Sequence, residues 1–276
     1  MSADSRFTPN GIVTLTTDFG TSDGYVGAMK GVLLSHAAGL TVLDVAHEIG
    51  PQNVAHGAAV LRTACPWFPT GTVHVAVVDP GVGTERSALV LLAGGHIFVG
   101  PDNGLLTLAA DALGGATEAR RIDPTGALAS VLPESMSATF HGRDVFAPTG
   151  AALASGHLPS TEVGPVHEPV RLSQPAPTPE AGGFEGSVTH VDRFGNAVTN
   201  ISATHLPGFP KAAYQASAGG EAVDLVATYA AVTSGAVCAL VGSDGFVEIA
   251  VRDGSAADQL GLGSGSSIRV LPASRA

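Results

Sequence analysis

Cysteine is scarce in this sequence, which has only Cys65 and Cys238 among its 276 residues. Their separation fits neither a CxxC motif nor the ligand spacing of a zinc site. Both stand in apolar surroundings, and we interpret them as packed free thiols. The sequence has no other cluster with convincing metal-ligand spacing, so we expect neither a metal nor any other cofactor.

Charge is also sparse, and positive charge is the rarer kind. Charged residues make up 13% of the chain, with 13 Lys and Arg against 24 Asp and Glu, which gives a net charge of −11. This excess of negative charge disfavours nucleic acids and anionic membranes as partners, because both repel it. It suits an enzyme that binds a neutral or cationic small molecule.

Long apolar runs are missing. None approaches the roughly 20 residues needed to span a bilayer. The first ten residues, MSADSRFTPN, lack the basic and apolar regions of a signal peptide. We therefore expect a cytoplasmic protein, and its 45% of hydrophobic residues predicts a globular chain with a sizeable core.

Strand and helix patterns alternate in the N-terminal part, residues 11–170. The pattern predicts strands at 12–17, 41–45, 72–78, 88–92 and 97–99 and helices at 23–36, 53–64, 105–113 and 144–154. Such alternation is typical of an α/β domain with a mostly parallel sheet. The Gly94-Gly95 turn between the last two strands indicates a hairpin, so we expect the sheet to be mixed.

Composition changes towards the C-terminus. Residues 171–183 are rich in proline and close on Gly-Gly, which is typical of a linker. Residues 184–274 then contain short β-rich runs separated by Gly, Asp and Ser, with one short helical stretch at 256–260. The runs are GSVTHVD, AVTNI, AVDLVATY, AVCALVG and FVEIAV. We predict a smaller all-β, barrel-like domain there.

The motif VVDPGVGTERSALV, residues 77–90, has the strongest chemical pattern in the chain. Asp79 ends an apolar strand, and a glycine-rich turn brings Arg86 back beside it. Ligand sites in α/β proteins form at such strand ends. An exposed Asp–Arg pair on a tight connection would give the same pattern, and the motif by itself does not separate the two interpretations.

Two further segments carry candidate site residues. Asp18, in TTDFGTSDGYVGAMKG, follows the first strand and suits the cis-diol of a ribose, although capping of the next helix would also explain it. His141, in TFHGRDVFAP, precedes a helix. With Asp79 and Arg86 it would supply the groups needed to bind and orient a water molecule.

Turns of the C-terminal part contain polar residues suited to a ligand. Asp192 and Asn196 flank a Phe-Gly turn, and an Asn amide matches the donor and acceptor edge of adenine. Ser243 lies at the tip of another turn, GSDGF. Ordinary hairpin structure accounts equally well for each of these residues taken singly.

Taken together, these motifs resemble those of the S-adenosyl-L-methionine hydroxide adenosyltransferases, relatives of the bacterial fluorinase and chlorinase. The resemblance runs from about Ile12 to Val270. In the family's order it includes the motifs TTDFGTSDGYVGAMKG, VVDPGVGTERSALV, GPDNGLL, TFHGRDVFAP, VDRFGNAVTN and GSDGFVEIA. It implies an α/β domain joined to a β-barrel-like domain, and a homotrimer with sites between subunits. It also implies hydrolysis of S-adenosylmethionine (SAM) to adenosine and methionine by attack of water or hydroxide at ribose C5′.

The resemblance assigns roles to seven residues. The water-orienting triad falls on Asp79, Arg86 and His141, and the ribose-binding aspartate falls on Asp18. Asp192 matches the residue for the methionine amino group, Asn196 the residue for adenine, and Ser243 a position near the methionine carboxylate. Arg252 or backbone N–H groups would complete that carboxylate site.

Two other functions fit parts of the same pattern. A SAM- or adenosine-binding module without turnover would keep Asp18, Asp192 and Asn196 and leave the triad structural. A SAM-dependent halogenase would need an uncharged halide pocket, but Asp79 places a negative charge there, which repels an anion. Hydrolysis is therefore the function that we expect.

Overall fold

The computed structural model describes residues 7–173 and 175–273. The chain divides into two compact units, residues 1–173 and residues 174–276. The first unit contains a six-stranded sheet covered by helices, and the second contains an eight-stranded sheet. In the described part of the chain, no helix has the length and apolar character needed to cross a membrane.

The sheet of the first unit is mixed and mostly parallel, as predicted. Its strands are β1 (Ile12–Thr17), β2 (Thr41–Ala46), β3 (Val73–Val77), β4 (Ala88–Ala93), β5 (His96–Pro101) and β6 (Ala116–Arg121), in the order β2-β1-β3-β5-β4-β6. The first four strands in this order pair in parallel, and β4 is antiparallel to both β5 and β6. The predicted β4–β5 hairpin is confirmed. Strand β6 was not predicted because its sequence, ATEARR, carries charges instead of an apolar pattern.

Helices cover both faces of this sheet. They are α1 (Tyr25–His36), α2 (Val54–Ala64), α3 (Thr107–Ala112) and α4 (Ala147–Ala154). One core joins β1 and β3 to α1 and α4 through side chains such as Leu15 and Leu33. A second core on α2 and α3 contains Leu61 and Phe98. Because both faces are buried, β3 is apolar along almost its whole length.

Two helix starts differ from the prediction. Helix α1 begins at Tyr25 with Gly24 as its N-cap and no side-chain cap, so capping does not account for Asp18. The helix predicted from residue 144 begins as a π-helical turn, Gly142–Phe146, and becomes α-helical at Ala147. Single π turns of this kind are often found at functional sites.

The second unit is the predicted all-β, barrel-like structure. Its strands are β7 (Thr178–Glu180), β8 (Gly183–Val191), β9 (Ala197–Ser202), β10 (Tyr214–Ala218), β11 (Glu221–Asp224), β12 (Val237–Val241), β13 (Phe246–Val251) and β14 (Ser267–Pro272). The order is β11-β10-β14-β8-β9-β13-β12, with β7 on β8. A bridge between Leu225 and Ala239 brings the two ends of this order together, so the barrel nearly closes. Helix α5 (Ala256–Leu260) lies where the helical stretch was predicted.

Part of the predicted linker belongs to this sheet. Residues 171–183 include β7, which pairs with β8 at the start of the barrel. Pro179 lies inside this short strand. Proline is tolerated there because β7 pairs with β8 alone, and an edge strand does not need every N–H group for hydrogen bonds to its neighbour.

Candidate active site

Asp18 and Asp79 follow neighbouring parallel strands of the first unit. Thr17 at the end of β1 pairs with Val77 at the end of β3, so the two carboxylates that follow emerge at the same edge of the sheet. This edge is where α/β proteins bind ligands. The register therefore accounts for the position of both residues.

A glycine turn returns the chain from Asp79 to Arg86. Gly83 has φ of +76°, and a Cβ atom built on it would lie only 2.4 Å from the carbonyl oxygen of Ala138. The turn is thus pressed against the segment that leads to His141. Only glycine allows both this backbone conformation and this close approach.

Arg86 joins the other two members of the predicted triad. Its Nε and Nη2 donate to Asp79 Oδ1 and Oδ2 at 3.1 and 2.5 Å, and Nη2 lies 3.2 Å from His141 Nδ1. The side chains of Asp79 and Arg86 are only 5% and 9% exposed. Nη1 donates to the Ser87 carbonyl, and the Phe146 ring lies 5.5 Å from the guanidinium carbon. The guanidinium group is therefore held on several sides.

The contact with Arg86 determines the protonation of His141. A guanidinium group can only donate, so Nδ1 must accept and the proton of the neutral ring must be on Nε2. Burial lowers the pKa of His141, the Arg86 charge lowers it further, and Asp79 and Asp144 oppose this in part. His141 is consequently neutral at pH 7, with a donor at Nε2.

The segment around His141 is fixed by its neighbours in sequence. Asp144 accepts from the Ser137 N–H at 2.8 Å and pairs with Arg143. Hydrogen bonds from Arg143 and Ser137 hold the pKa of Asp144 below its usual value, although burial acts in the opposite direction. Gly142 is packed so tightly that a Cβ atom would lie 3.2–3.3 Å from the side chains of Met29, Phe140 and Phe19. The residue after His141 therefore has little room for a side chain.

A cavity of about 370 Å³ opens beside these groups, with Asp18, Asp79 and His141 in its lining. Phe19, Tyr25 and Phe140 form an aromatic wall, with ring centroids 5.4–5.9 Å apart in tilted and edge-to-face arrangements. The Gln52 N–H donates to Asp18 Oδ2 at 2.8 Å. A carboxylate fixed in this way can still accept from a diol, and the wall supplies apolar surroundings.

In the second unit, Asp192 and Asn196 form one hydrogen-bonded turn. Asp192 Oδ1 accepts from the N–H groups of Phe194 and Asn196 at 2.8 and 2.9 Å, and Oδ2 accepts from Asn196 Nδ2 at 3.0 Å. Because a carboxylate only accepts, the amide nitrogen of Asn196 must face Asp192. Oδ1 of Asn196 is thereby left as the acceptor for another group.

A larger cavity, of about 640 Å³, lies in this unit and has Asn196 and Arg252 in its lining. Phe194 and Tyr229 add exposed aromatic side chains, which are 77% and 40% accessible. The sequence interpretation missed both aromatics, although an aromatic residue within a polar turn, as in Asp-Arg-Phe-Gly-Asn, is a usable signal. The Tyr229 hydroxyl donates to Glu248, a carboxyl group whose pKa is raised by burial.

The remaining candidates of the second unit are more exposed. Ser243 is exposed in the turn between β12 and β13 and does not line the larger cavity. Arg252 lines it and donates from Nη1 to the Val232 carbonyl at 2.8 Å. Among residues 7–173 and 175–273, no group of three or more His, Cys, Asp or Glu side chains is placed to hold a metal ion.

Comparison with known proteins decides the family. Residues 13–164 match the N-terminal domain model of the SAM hydroxide adenosyltransferases, and residues 186–269 match the C-terminal domain model. This protein belongs to the SAM hydroxide adenosyltransferase family. The resemblance inferred from its motifs is thus confirmed.

Two known proteins are similar to this chain over almost their whole length. An (R)-S-adenosyl-L-methionine hydrolase of Salinispora tropica is 44% identical, over 95% of this chain and 98% of that protein. The crystal structure of an uncharacterized conserved protein from Thermotoga maritima superposes with a TM-score of 0.85 at 34% identity, over 94% of this chain and 99% of that one. A fluorinase of an Actinoplanes species is more distant, at 32% identity over 71% of this chain and 74% of that protein. This member of the SAM hydroxide adenosyltransferases is therefore nearer to the hydrolase than to the fluorinase.

Proposed function

We propose that the protein hydrolyses (R)-S-adenosyl-L-methionine to adenosine and L-methionine. The observation that carries this proposal is the contact of Asp79, Arg86 and His141 beside a cavity that also contains Asp18. The 44% identity to a hydrolase named for this substrate supports it. The net charge of −11 also suits a cationic sulfonium substrate.

The proposed reaction is a single displacement. The oxygen of a water molecule forms a bond to ribose C5′ while the C5′–S bond breaks, and the bonding pair stays on sulfur as the neutral thioether of methionine. No general acid is needed for this leaving group. The water loses one proton to the Asp79 carboxylate, which passes it to solvent, so one proton is released per turnover.

The triad supplies alignment more than acid–base strength. His141 Nε2–H donates to the water oxygen, Asp79 accepts from the water, and Arg86 holds both partners at fixed distances. Alignment of a nucleophile contributes up to about 7–11 kcal/mol in favourable intramolecular cases. The nearly buried Asp79 and Arg86 side chains also keep most bulk water away from the nucleophile.

The other candidate residues bind the three parts of the substrate in this proposal. Asp18 accepts from the ribose hydroxyls, and Asn196 Oδ1 accepts from the adenine amino group. Phe194 and Tyr229 pack against the base. Asp192 retains lone pairs for the methionine ammonium group, while Ser243 and Arg252 hold its carboxylate.

The proposal also includes a cytoplasmic homotrimer with sites between subunits, no metal or other cofactor, and no nucleic acid or membrane partner. Composite sites can be tested by mixing Asp79→Ala, which should lack turnover, with Asn196→Ala, which should bind the substrate weakly, at a SAM concentration well below the wild-type KM. If each site takes these residues from different subunits, random mixing restores about a quarter of the activity. If each site belongs to one subunit, mixing restores none.

Isotope labelling tests the reaction itself. The protein is incubated with (R)-SAM in ¹⁸O-labelled water, with chelator present and halide absent, and the products are analysed by mass spectrometry. We expect ¹⁸O in the 5′-hydroxyl of adenosine, and none with Asp79→Ala. Binding of SAM without product would indicate a binding module, and 5′-halogenated adenosine on addition of chloride or fluoride would indicate a halogenase.

A further inference from the structure

A buried histidine outside the triad forms a hydrogen bond with the residue that precedes Asp18. His47 is 6% exposed, and its Nδ1 lies 2.8 Å from the hydroxyl of Thr17. Its Nε2 lies 3.0 Å from Asp44 Oδ1, and Lys30 Nζ donates to Asp44 Oδ2 at 2.6 Å. A cation, a carboxylate, an imidazole and a hydroxyl therefore follow one another from α1 and β2 to the end of β1.

The direction of these contacts follows from the charge of Asp44. Burial raises the pKa of Asp44, but hydrogen bonds from Lys30 and His47 and the positive charge of Lys30 outweigh this and lower it. The ionised carboxylate favours the His47 tautomer with its proton on Nε2, although this N–H is not aligned for a regular hydrogen bond. Nδ1 is then an acceptor, so the Thr17 hydroxyl donates to it.

Thr17 transmits this arrangement to the backbone beside Asp18. Its Oγ1, with the proton directed at His47, accepts from the Phe19 N–H at 3.2 Å. The carbonyl of His47 also accepts from the Gly20 N–H at 2.8 Å. His47 thus holds the chain on both sides of Asp18, once through its side chain and once through its backbone.

The segment after His47 binds the Asp18 side chain directly. The Gln52 N–H donates to Asp18 Oδ2 at 2.8 Å, and Thr21 donates to Glu48 Oε1 at 3.1 Å. The residues after β1 and after β2 therefore form a pair of connected loops, and the Asp18 carboxylate lies in the cavity lining between these contacts.

We propose that His47 is a positioning residue for ribose recognition, acting through Thr17 on the orientation of Asp18. This inference rests on the proposed role of Asp18 in substrate binding. The competing interpretation is that the Thr17–His47 bond only satisfies buried polar groups. The two interpretations differ in whether loss of the bond changes ligand affinity beyond its effect on stability.

The same strand contains a matched control. Thr14 Oγ1 lies 2.8 Å from His74 Nδ1, so it makes a second buried threonine–histidine bond, and neither residue lines the cavity. Thr17→Val and Thr14→Val make the same chemical change at two positions of β1, because each replaces a threonine hydroxyl group by a methyl group. Both variants should lower thermal stability, but only the first should change adenosine binding.

The test measures the dissociation constant for adenosine by calorimetry on the full chain. We expect Thr17→Val to weaken binding about 5- to 10-fold, as for loss of one hydrogen bond, and Thr14→Val to stay within about 2-fold of wild type. Thr17→Ser should restore the affinity. Equal weakening by both valine variants, or none by Thr17→Val, would overturn the proposal.

A double-mutant comparison identifies the route. If His47 and Thr17 act through Asp18, Thr17→Val should add no further loss to Asp18→Ala, whereas independent effects would multiply. An unchanged affinity in Asp18→Ala alone would instead contradict the proposed function. Should Thr17→Val not fold, His47→Asn, which keeps a polar group near Nδ1, is compared with His47→Leu. The proposal then requires weaker adenosine binding in the leucine variant only.

Discussion

Gly83 lies against the carbonyl oxygen of Ala138, with space for a hydrogen atom but not for a methyl group. Through this contact the turn that contains Arg86 packs against the segment that contains His141. Arg86 and His141 are 55 residues apart in the sequence. It is the long-range packing that joins the parts of the proposed catalytic triad.

Gly83→Ala should therefore separate Arg86 from His141. A Cβ atom would collide with the Ala138 backbone and would also disfavour the positive φ, so the turn must shift. We expect kcat to fall by about 10²-fold, which is typical for a displacement of about 1 Å in a catalytic site. Steady-state kinetics provide the measurement.

Gly81→Ala is the control for this variant. A Cβ atom at Gly81 would meet its nearest neighbours, Arg86 and Thr84, at ordinary contact distances of 3.5 Å. This substitution in the same turn should leave kcat within about 3-fold of wild type. Similar losses in both variants would mean that the Gly83–Ala138 contact does not align the site.

The pH dependence of turnover should reflect His141. Its pKa is lowered by burial and by Arg86, and only the neutral ring can accept from Arg86 at Nδ1. The active, neutral form of His141 therefore predominates at pH 6.5 and above, and it is lost as pH falls through the depressed pKa. A pH profile of kcat/KM should have its acid limb below pH 6.5, and a limb centred above that value would contradict this assignment.

Acid should destabilise the fold through His74. This residue is fully buried, stacks on Phe98, and lies 3.1 Å from His96 Nδ1 through Nε2. Burial and the neighbouring His96 lower the pKa of His74 to about 3. Below pH 6.5 the unfolded chain binds a proton at His74 that the folded chain does not bind. The contribution of the neutral His74 to the free energy of unfolding is therefore present above pH 6.5 and is lost as the pH falls from 6.5 to about 3.

Urea unfolding at a series of pH values measures this effect. Each proton taken up only by the unfolded chain lowers the free energy of unfolding by about 1.4 kcal/mol per pH unit. His74→Gln should reduce the slope between pH 6 and 4 relative to wild type. An identical slope in the variant would assign acid sensitivity to other groups.

Base selectivity should follow from the orientation of Asn196. Asp192 holds the amide nitrogen, so Oδ1 is presented as an acceptor. Adenine offers a 6-amino donor, whereas hypoxanthine places a carbonyl oxygen there. Wild-type protein should bind adenosine about 10- to 100-fold more tightly than inosine.

Asn196→Ala should lower the affinity for adenosine and leave the affinity for inosine nearly unchanged. The ratio of the dissociation constants for inosine and adenosine should therefore approach one. Calorimetry with the two nucleosides measures both constants. Asp192→Asn tests the orienting role, because an amide at position 192 no longer requires the nitrogen of Asn196 to face it. If Asp192 binds only the methionine ammonium group, this variant should keep the wild-type ratio.

Local sequence patterns predicted most of the first unit and part of its candidate site. Apolar runs located β1 and β3, and parallel pairing of these strands places Asp18 and Asp79 at one edge. The bond between Arg86 and His141 could not be read from spacing, since it depends on where the turn at Gly83 packs. Strands β10 and β14 were missed, because small and polar residues in YQASA and SIRVLP hide their alternation.

The candidate site residues of the second unit were proposed from their motif and not from their surroundings. Asp192 and Asn196 have the composition of an ordinary hairpin turn, and their mutual hydrogen bonds are indeed those of a turn. What distinguishes the region is the cavity with Phe194 and Tyr229, which come from separate connections. The geometry of the barrel brings these distant segments together. A short stretch of sequence contains no information about that geometry, so the cavity could not be predicted from it.

Both native thiols should be unreactive in the folded protein. Cys65 and Cys238 are buried, and burial raises the pKa of each, that of Cys65 to about 12. A maleimide dye should therefore react with neither residue while the protein is folded. The natural chain is thus a ready background for site-specific labelling, in which one cysteine introduced at an exposed position, such as Trp67, would carry a fluorophore without prior removal of the others.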